Sequence, residues 1–177
     1  MKVFTQEEFD AFPVVNGCKV CPAGDYRAIK KFSSDCSYES GCRFGSDCRF
    51  GSGSRFGSGC RFESGCRFDS NCRFGSGCRF DSGCSFGPGC SFGPNGLFRG
   101  KLAKNNNPIM VVSRLGSENR DTTFFDTVVG IFVECGCFYG ALEEFKAQVA
   151  KTHGSGKHAR TYLTAALMAE IQFEVSP

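Results

Sequence analysis

The sequence predicts a mainly β protein: a coil of very short strands through the middle of the chain, then a small domain in which strands precede helices. Three observations predict it. From Gly41 the chain reads GCRFGS DCRFGS GSRFGS GCRFES GCRFDS NCRFGS GCRFDS GCSFGP GCSFGP, so an aromatic recurs every six residues from Phe44 to Phe98. Two residues before each aromatic stands a small residue, Cys at most steps, Ser54 and Gly96 at two of them. After Phe98 the repeat stops and β-branched runs give way to segments with helical spacing. The composition carries the same message: 13 Cys, 20 Phe and 23 Gly with no Trp in 177 residues is a skew that points to a repeat.

Each hexad is read as one short strand and one bend. Alternation over three positions puts Cys and Phe on the inner side and the intervening Arg on the outer side. Gly, Glu or Asp after Phe, then Ser or Pro, then a glycine in most hexads, is turn chemistry. Tyr38, Phe32, Tyr26 and Val20 continue the step of six backwards with Cys36 and Cys18 in phase, which makes fourteen hexads over residues 18–98. Residues 1–17 precede them, and Thr5 followed by Glu8 is a capping-box pattern for a short helix whose Phe9 and Phe12 would cover the first coil. Residues 99–108 read as a polar linker closed by Pro108. In 109–177, IMVVSR, TTFFDTVV and IFVECGCF are strand-like, and ALEEFKAQVAKTHG and HARTYLTAALMAEIQF are helical, giving the order β-β-β-α-α. Leu142, Phe145 and Val149 share one helical face, Gly154 suits a C-terminal cap, and Tyr162, Ala166, Ala169 and Phe173 form an apolar stripe.

The hexads resemble those of hexapeptide-repeat parallel β-helix proteins, with Phe where that family prefers Leu, Ile or Val. The resemblance implies a left-handed, three-sided coil with three hexads per turn. The lead-in VVNGCKVCPAGDY, the segment CGCFYGALEEF at 135–145, KTHG at 151–154 and the helix around Tyr162 and Leu163 are similar to uncharacterised solenoid proteins of phage and prophage type. That similarity implies a mobile-element origin and no particular activity. Ala141 departs from the Thr expected at the start of the first tail helix.

The absence of an apolar run of membrane length and of an export signal predicts a cytoplasmic protein, in the host cytoplasm if phage-encoded, with no membrane partner. Thiols there stay reduced. Residues eighteen apart, such as Cys42, Cys60 and Cys78, would stack, but Ser54 interrupts the series, as packing allows and an obligatory disulfide or metal ladder does not. Cys135, Cys137, His153 and His158 are the candidate zinc ligands, though C-x-C is tighter than the usual thiolate spacing and both thiols would simply pack on one strand face. His153 reads more simply as a helix C-terminal cation, and no third group orients a Cys–His nucleophile. No cofactor is called for.

Seven outward arginines, Arg43, Arg49, Arg55, Arg61, Arg67, Arg73 and Arg79, are the candidate binding residues. On three sides they fall into columns 43/61/79, 49/67 and 55/73, with Glu63, Asp81, Asp47 and Asp69 as compensating charge, and the whole chain carries only +3. The reading is a non-enzymatic macromolecular-interaction protein, a phage-encoded binder or inhibitor of a host defence or nucleic-acid-processing complex. A nucleic-acid-binding solenoid using the arginine columns is the first alternative. A hexapeptide-repeat acyltransferase is the second; it would be a homo-oligomer with a histidine in the solenoid, and both histidines lie in the tail.

Overall fold

The computed structural model describes residues 1–104, 107–116 and 118–174. The chain forms two compact units, Met1–Leu102 and Ala103–Pro177.

In the first unit the hexads from Phe32 to Phe98 contribute short strands, most of them the pair Arg–Phe or Ser–Phe, with Lys31–Phe32, Cys36–Tyr38 and Leu97–Phe98 as the exceptions; the residue before each aromatic is exposed or half-buried and the aromatic is buried. Strands eighteen residues apart pair in parallel, Phe50 with Phe68 and Phe56 with Phe74 for example, so three hexads complete one coil. Three sheets result: a Phe32 face running through Phe50, Phe68 and Phe86, a Tyr38 face through Phe56, Phe74 and Phe92, and a Phe44 face through Phe62, Phe80 and Phe98. Phe32 to Phe98 is therefore four complete coils, which at about 4.8 Å per strand spacing stand roughly 20 Å tall. The sequence register fails at its first step. Lys19 pairs with Cys36 and Cys21 with Tyr38, so Cys21 is buried and Val20 turns outward at 38% exposure. Five residues, not six, separate Cys21 from Tyr26, and the inward hexads begin at Tyr26.

The interior explains why Phe serves here. Rings lie nearly parallel in a stack along each column, at 4.8 Å and 4° for Phe50–Phe68, and meet the other two columns edge-on, at 5.1 Å and 88° for Phe50–Phe56. Offset stacks and T-shaped contacts are the two favourable arrangements of a ring quadrupole, each worth about 0.5–1.5 kcal/mol beyond burial. Room for rings comes from the small residue beside them, and its thiol has a second task. Cys60, Cys66, Cys78 and Cys84 donate to the carbonyl oxygens of Glu39, Gly45, Gly57 and Glu63 in the coil below, at 3.3–3.6 Å. Ser54 instead donates to Gly51 O at 2.9 Å, three residues back in the preceding hexad.

The bend before each small residue needs a left-handed backbone. The residue there has φ between +59° and +78° at every turn from 41 to 95, and it is always Gly, Asp or Asn: Asp47, Asn71 and Asn95 interrupt the glycines. These are the residues that reach this region at least cost.

At the front, α1 (Gln6–Asp10) carries the expected capping box, with Glu8 N donating to Thr5 Oγ1 at 3.2 Å and Thr5 N to Glu8 Oε2 at 2.9 Å. Phe9 meets Phe32 edge-on, and Phe4, which the sequence pattern did not single out, stacks on Tyr26 at 4.9 Å and extends the Phe44 column. At the other end, Lys101–Leu102 runs back antiparallel to Leu97–Phe98, inside the stretch read as linker.

The second unit is an antiparallel meander of four strands, β1 (Ile109–Leu115), β2 (Arg120–Thr127), β3 (Gly130–Cys135) and β4 (Phe138–Ala141), followed by α2 (Leu142–His153) and α3 (Lys157–Glu174). The run IFVECGCF is a hairpin rather than one strand: Gly136, at φ +59°, and Cys137 make the turn, and Cys135 pairs with Phe138. Phe124 and Val133 of the sheet pack with Phe145, Val149, Tyr162, Ala166 and Phe173 of the helices, all buried. At Ala141 half of a capping box survives, its N–H donating to Glu144 Oε2 at 2.9 Å. Lys146 of α2 ties the helices together through Glu170 of α3 at 2.6 Å and also pairs with Glu143 of its own helix at 2.8 Å.

Candidate anion-binding ladders

Parallel, in-register pairing decides where the arginines go. On the Phe44 face Arg43, Arg61 and Arg79 pair in succession, followed by Leu97. On the Phe32 face the order is Lys31, Arg49, Arg67 and Ser85, and on the Tyr38 face Ser37, Arg55, Arg73 and Ser91. The columns expected from sequence form, and Lys31, which that reading passed over, joins one of them. Its signal was present: Lys31 precedes Phe32 as each Arg precedes its Phe.

All seven arginines are exposed. Among the described residues none of the seven guanidinium groups forms an ion pair. The compensation assigned to nearby acids is not made by direct contact. Glu63 accepts a hydrogen bond from Ser46 Oγ at 3.2 Å, and Asp47 is one of the left-handed turn residues. The close pair is Asp25–Arg27, whose guanidinium bonds hold the Asp25 carboxyl below the usual carboxylate range. Like charges directly opposite on neighbouring strands repel, so each column carries an electrostatic cost.

Two shallow grooves run along these columns. One, about 330 Å³, is lined by Arg27, Arg43, Arg61 and Arg79 together with Glu63 and Asp81. The other, about 440 Å³, is lined by Lys31, Arg49 and Arg67 with Asp69 as its one carboxylate.

The structure does not assemble the candidate zinc ligands. Cys135 ends β3 and accepts from Thr122 Oγ1 at 3.2 Å, while Cys137 stands exposed in the hairpin turn, so the two thiols do not share a strand face. His153, the last residue of α2, stacks on Tyr162 with centroids 5.5 Å apart, and His158 lies in the first turn of α3, 6.0 Å from His153. Among the described residues no group of three or more His, Cys, Asp or Glu side chains could hold a metal. The solenoid thiols are all unbridged. Hydrogen bonds to Cys60 and Cys66, and then burial, push the Cys42 and Cys48 thiols up, which keeps them protonated.

The fold and these ladders define the chain as a three-sided β-solenoid of hexapeptide repeats with a small α/β unit. No protein-family model matches the chain, and neither a curated protein nor a solved structure matches it. No helix among the described residues is long and apolar enough to cross a membrane.

Proposed function

We propose that the chain is a non-enzymatic macromolecular-interaction protein whose solenoid presents arginine ladders to an anionic partner surface. The observation that carries this reading is the set of seven exposed guanidinium groups, stacked in register on an aromatic core and without an ion pair among the described residues. Charge complementarity of this kind speeds and orients encounter. The second unit supports an interaction role as well: α3 leaves Leu163, Leu167, Met168 and Ile171 exposed, and Met168 lines an apolar groove with Val112, Leu115 and Ala165. A phage-type origin, the expectation drawn from the lead-in and tail segments of the sequence, would make a host protein complex, bound and blocked in the cytoplasm, the first candidate partner. Nucleic acid is the second reading, favoured by the unpaired arginines themselves.

Capture on immobilised protein, with and without nuclease, tests the pair. A partner protein retained by the native chain after nuclease, and lost by a variant with all seven arginines changed to Ser, is the expected result. Equal retention by that variant would remove the ladders from the interface.

A further inference from the structure

Resting on the nucleic-acid reading, we infer that the Phe32 face, through Lys31, Arg49 and Arg67, is a binding site for a phosphodiester backbone that is read without its bases. Three observations converge on this face. Its three cations are consecutive in one column and share a single carboxylate, Asp69, along a groove of about 440 Å³. The Phe44 column faces both Glu63 and Asp81, and Arg27 beside it is already held by Asp25 at 2.6 Å. The Tyr38 column has two arginines between serines.

The type of ligand follows from what the face lacks and what it repeats. Its aromatics, Phe32, Phe50, Phe68 and Phe86, are all turned inward and at most 6% exposed, so no ring is offered for a base to stack on. What remains is a row of donors at one strand spacing, about 4.8 Å, with forked guanidinium groups suited to phosphate oxygens. A chain of phosphates placed along the row would also relieve the repulsion between the stacked cations. Binding is therefore expected to be indifferent to sequence and steep in salt.

The repeat supplies its own harmless substitution. Ser85 and Ser91 occupy the arginine position and pair in register with Arg67 and Arg73, so Ser there is compatible with the coil. The test is fluorescence anisotropy with labelled single-stranded oligothymidylate, oligoadenylate and an abasic oligomer, from about 50 to 200 mM salt, a range over which phosphate-driven binding falls steeply. Two triple variants are compared with the native chain: K31S/R49S/R67S and R43S/R61S/R79S. The first is expected to lose about tenfold or more in affinity and to lower the salt slope by about 2, since each single-strand phosphate contact contributes about 0.7. The second should lose clearly less affinity than the first and keep the native salt slope to within about one contact, 0.7, as surface charges away from the contact act only by screened attraction. Equal losses in both variants would overturn the assignment to this face and leave nucleic-acid binding standing. Binding that depends on the base, or fails on the abasic oligomer, would overturn backbone-only reading. No binding by the native chain at the lowest salt would remove both the inference and the reading beneath it.

Discussion

Tyr38 occupies a column in which every later aromatic is Phe, and its ring stacks on Phe56 at 5.0 Å and 2° as a phenylalanine would. Its hydroxyl is buried without a sound hydrogen-bond partner among the described residues, and desolvation, with the Cys36 sulfur close by, drives its ionisation far above the usual phenol range. An unsatisfied buried polar atom costs about 1–3 kcal/mol. Tyr38→Phe should therefore raise stability by about 1 kcal/mol, read as a higher urea midpoint with an unchanged slope. Asp25 gives the opposite lesson, a buried carboxylate that is fully engaged by Arg27. Because its carboxyl is lowered in the folded chain, its contribution is complete above the unfolded value of about 3.9 and is lost as pH falls through the folded value. Urea midpoints measured from pH 5 down to about 2 should fall in the native chain. The fall should be shallower in Asp25→Asn, which is less stable at neutral pH.

Each coil is assembled from bends that demand one backbone region. Gly59, at φ +70°, would place an added Cβ in open space, so a substitution there tests the dihedral alone. Gly59→Val should cost about 1–2 kcal/mol or more, whereas Gly59→Asn should be close to neutral, since Asn71 and Asn95 already adopt the left-handed conformation at the equivalent position. Chemical denaturation of the two variants side by side checks this, and an equal cost would mean that the position is not governed by its left-handed backbone. Position by position, the hexad was legible because every step repeats the same inward Phe and small residue. Legibility ended where the repeat had no neighbour to average over. Val20 fitted the step of six but Cys21 entered the core, because the first strand is set by its pairing with Cys36–Tyr38 and by the Val14–Val15 hairpin. In IFVECGCF the alternation continues through Gly136, and only a left-handed glycine, invisible to periodicity, marks the turn. The arginine columns were readable from the period, but Lys31 lay outside the run of arginines, and that the seven guanidinium groups form no ion pair among the described residues is a matter of side-chain direction that no spacing encodes.

For the whole molecule, the thiols report on integrity. Of thirteen cysteines Cys137 alone is exposed, Cys18, Cys90 and Cys135 are half-buried, and the rest are buried. A chromogenic disulfide reagent should label one thiol rapidly in the native chain and all thirteen after denaturation. Several solenoid thiols reacting at the rapid rate would mean that the coils open locally, or that the Cys columns face outward. The coil also sets how such a chain can change in length. Its unit of sequence is six residues, but its unit of vertical alignment is eighteen. Gaining or losing a single hexad would leave the interior undisturbed, since every rung offers the same Phe and small residue. On the exterior it would turn everything downstream by one side, moving each arginine to the neighbouring column and re-sorting which charges lie above one another. Only a change of three hexads would preserve the pattern. Duplication and slippage in such a repeat can thus rewrite the surface wholesale without touching the packing that holds the protein folded.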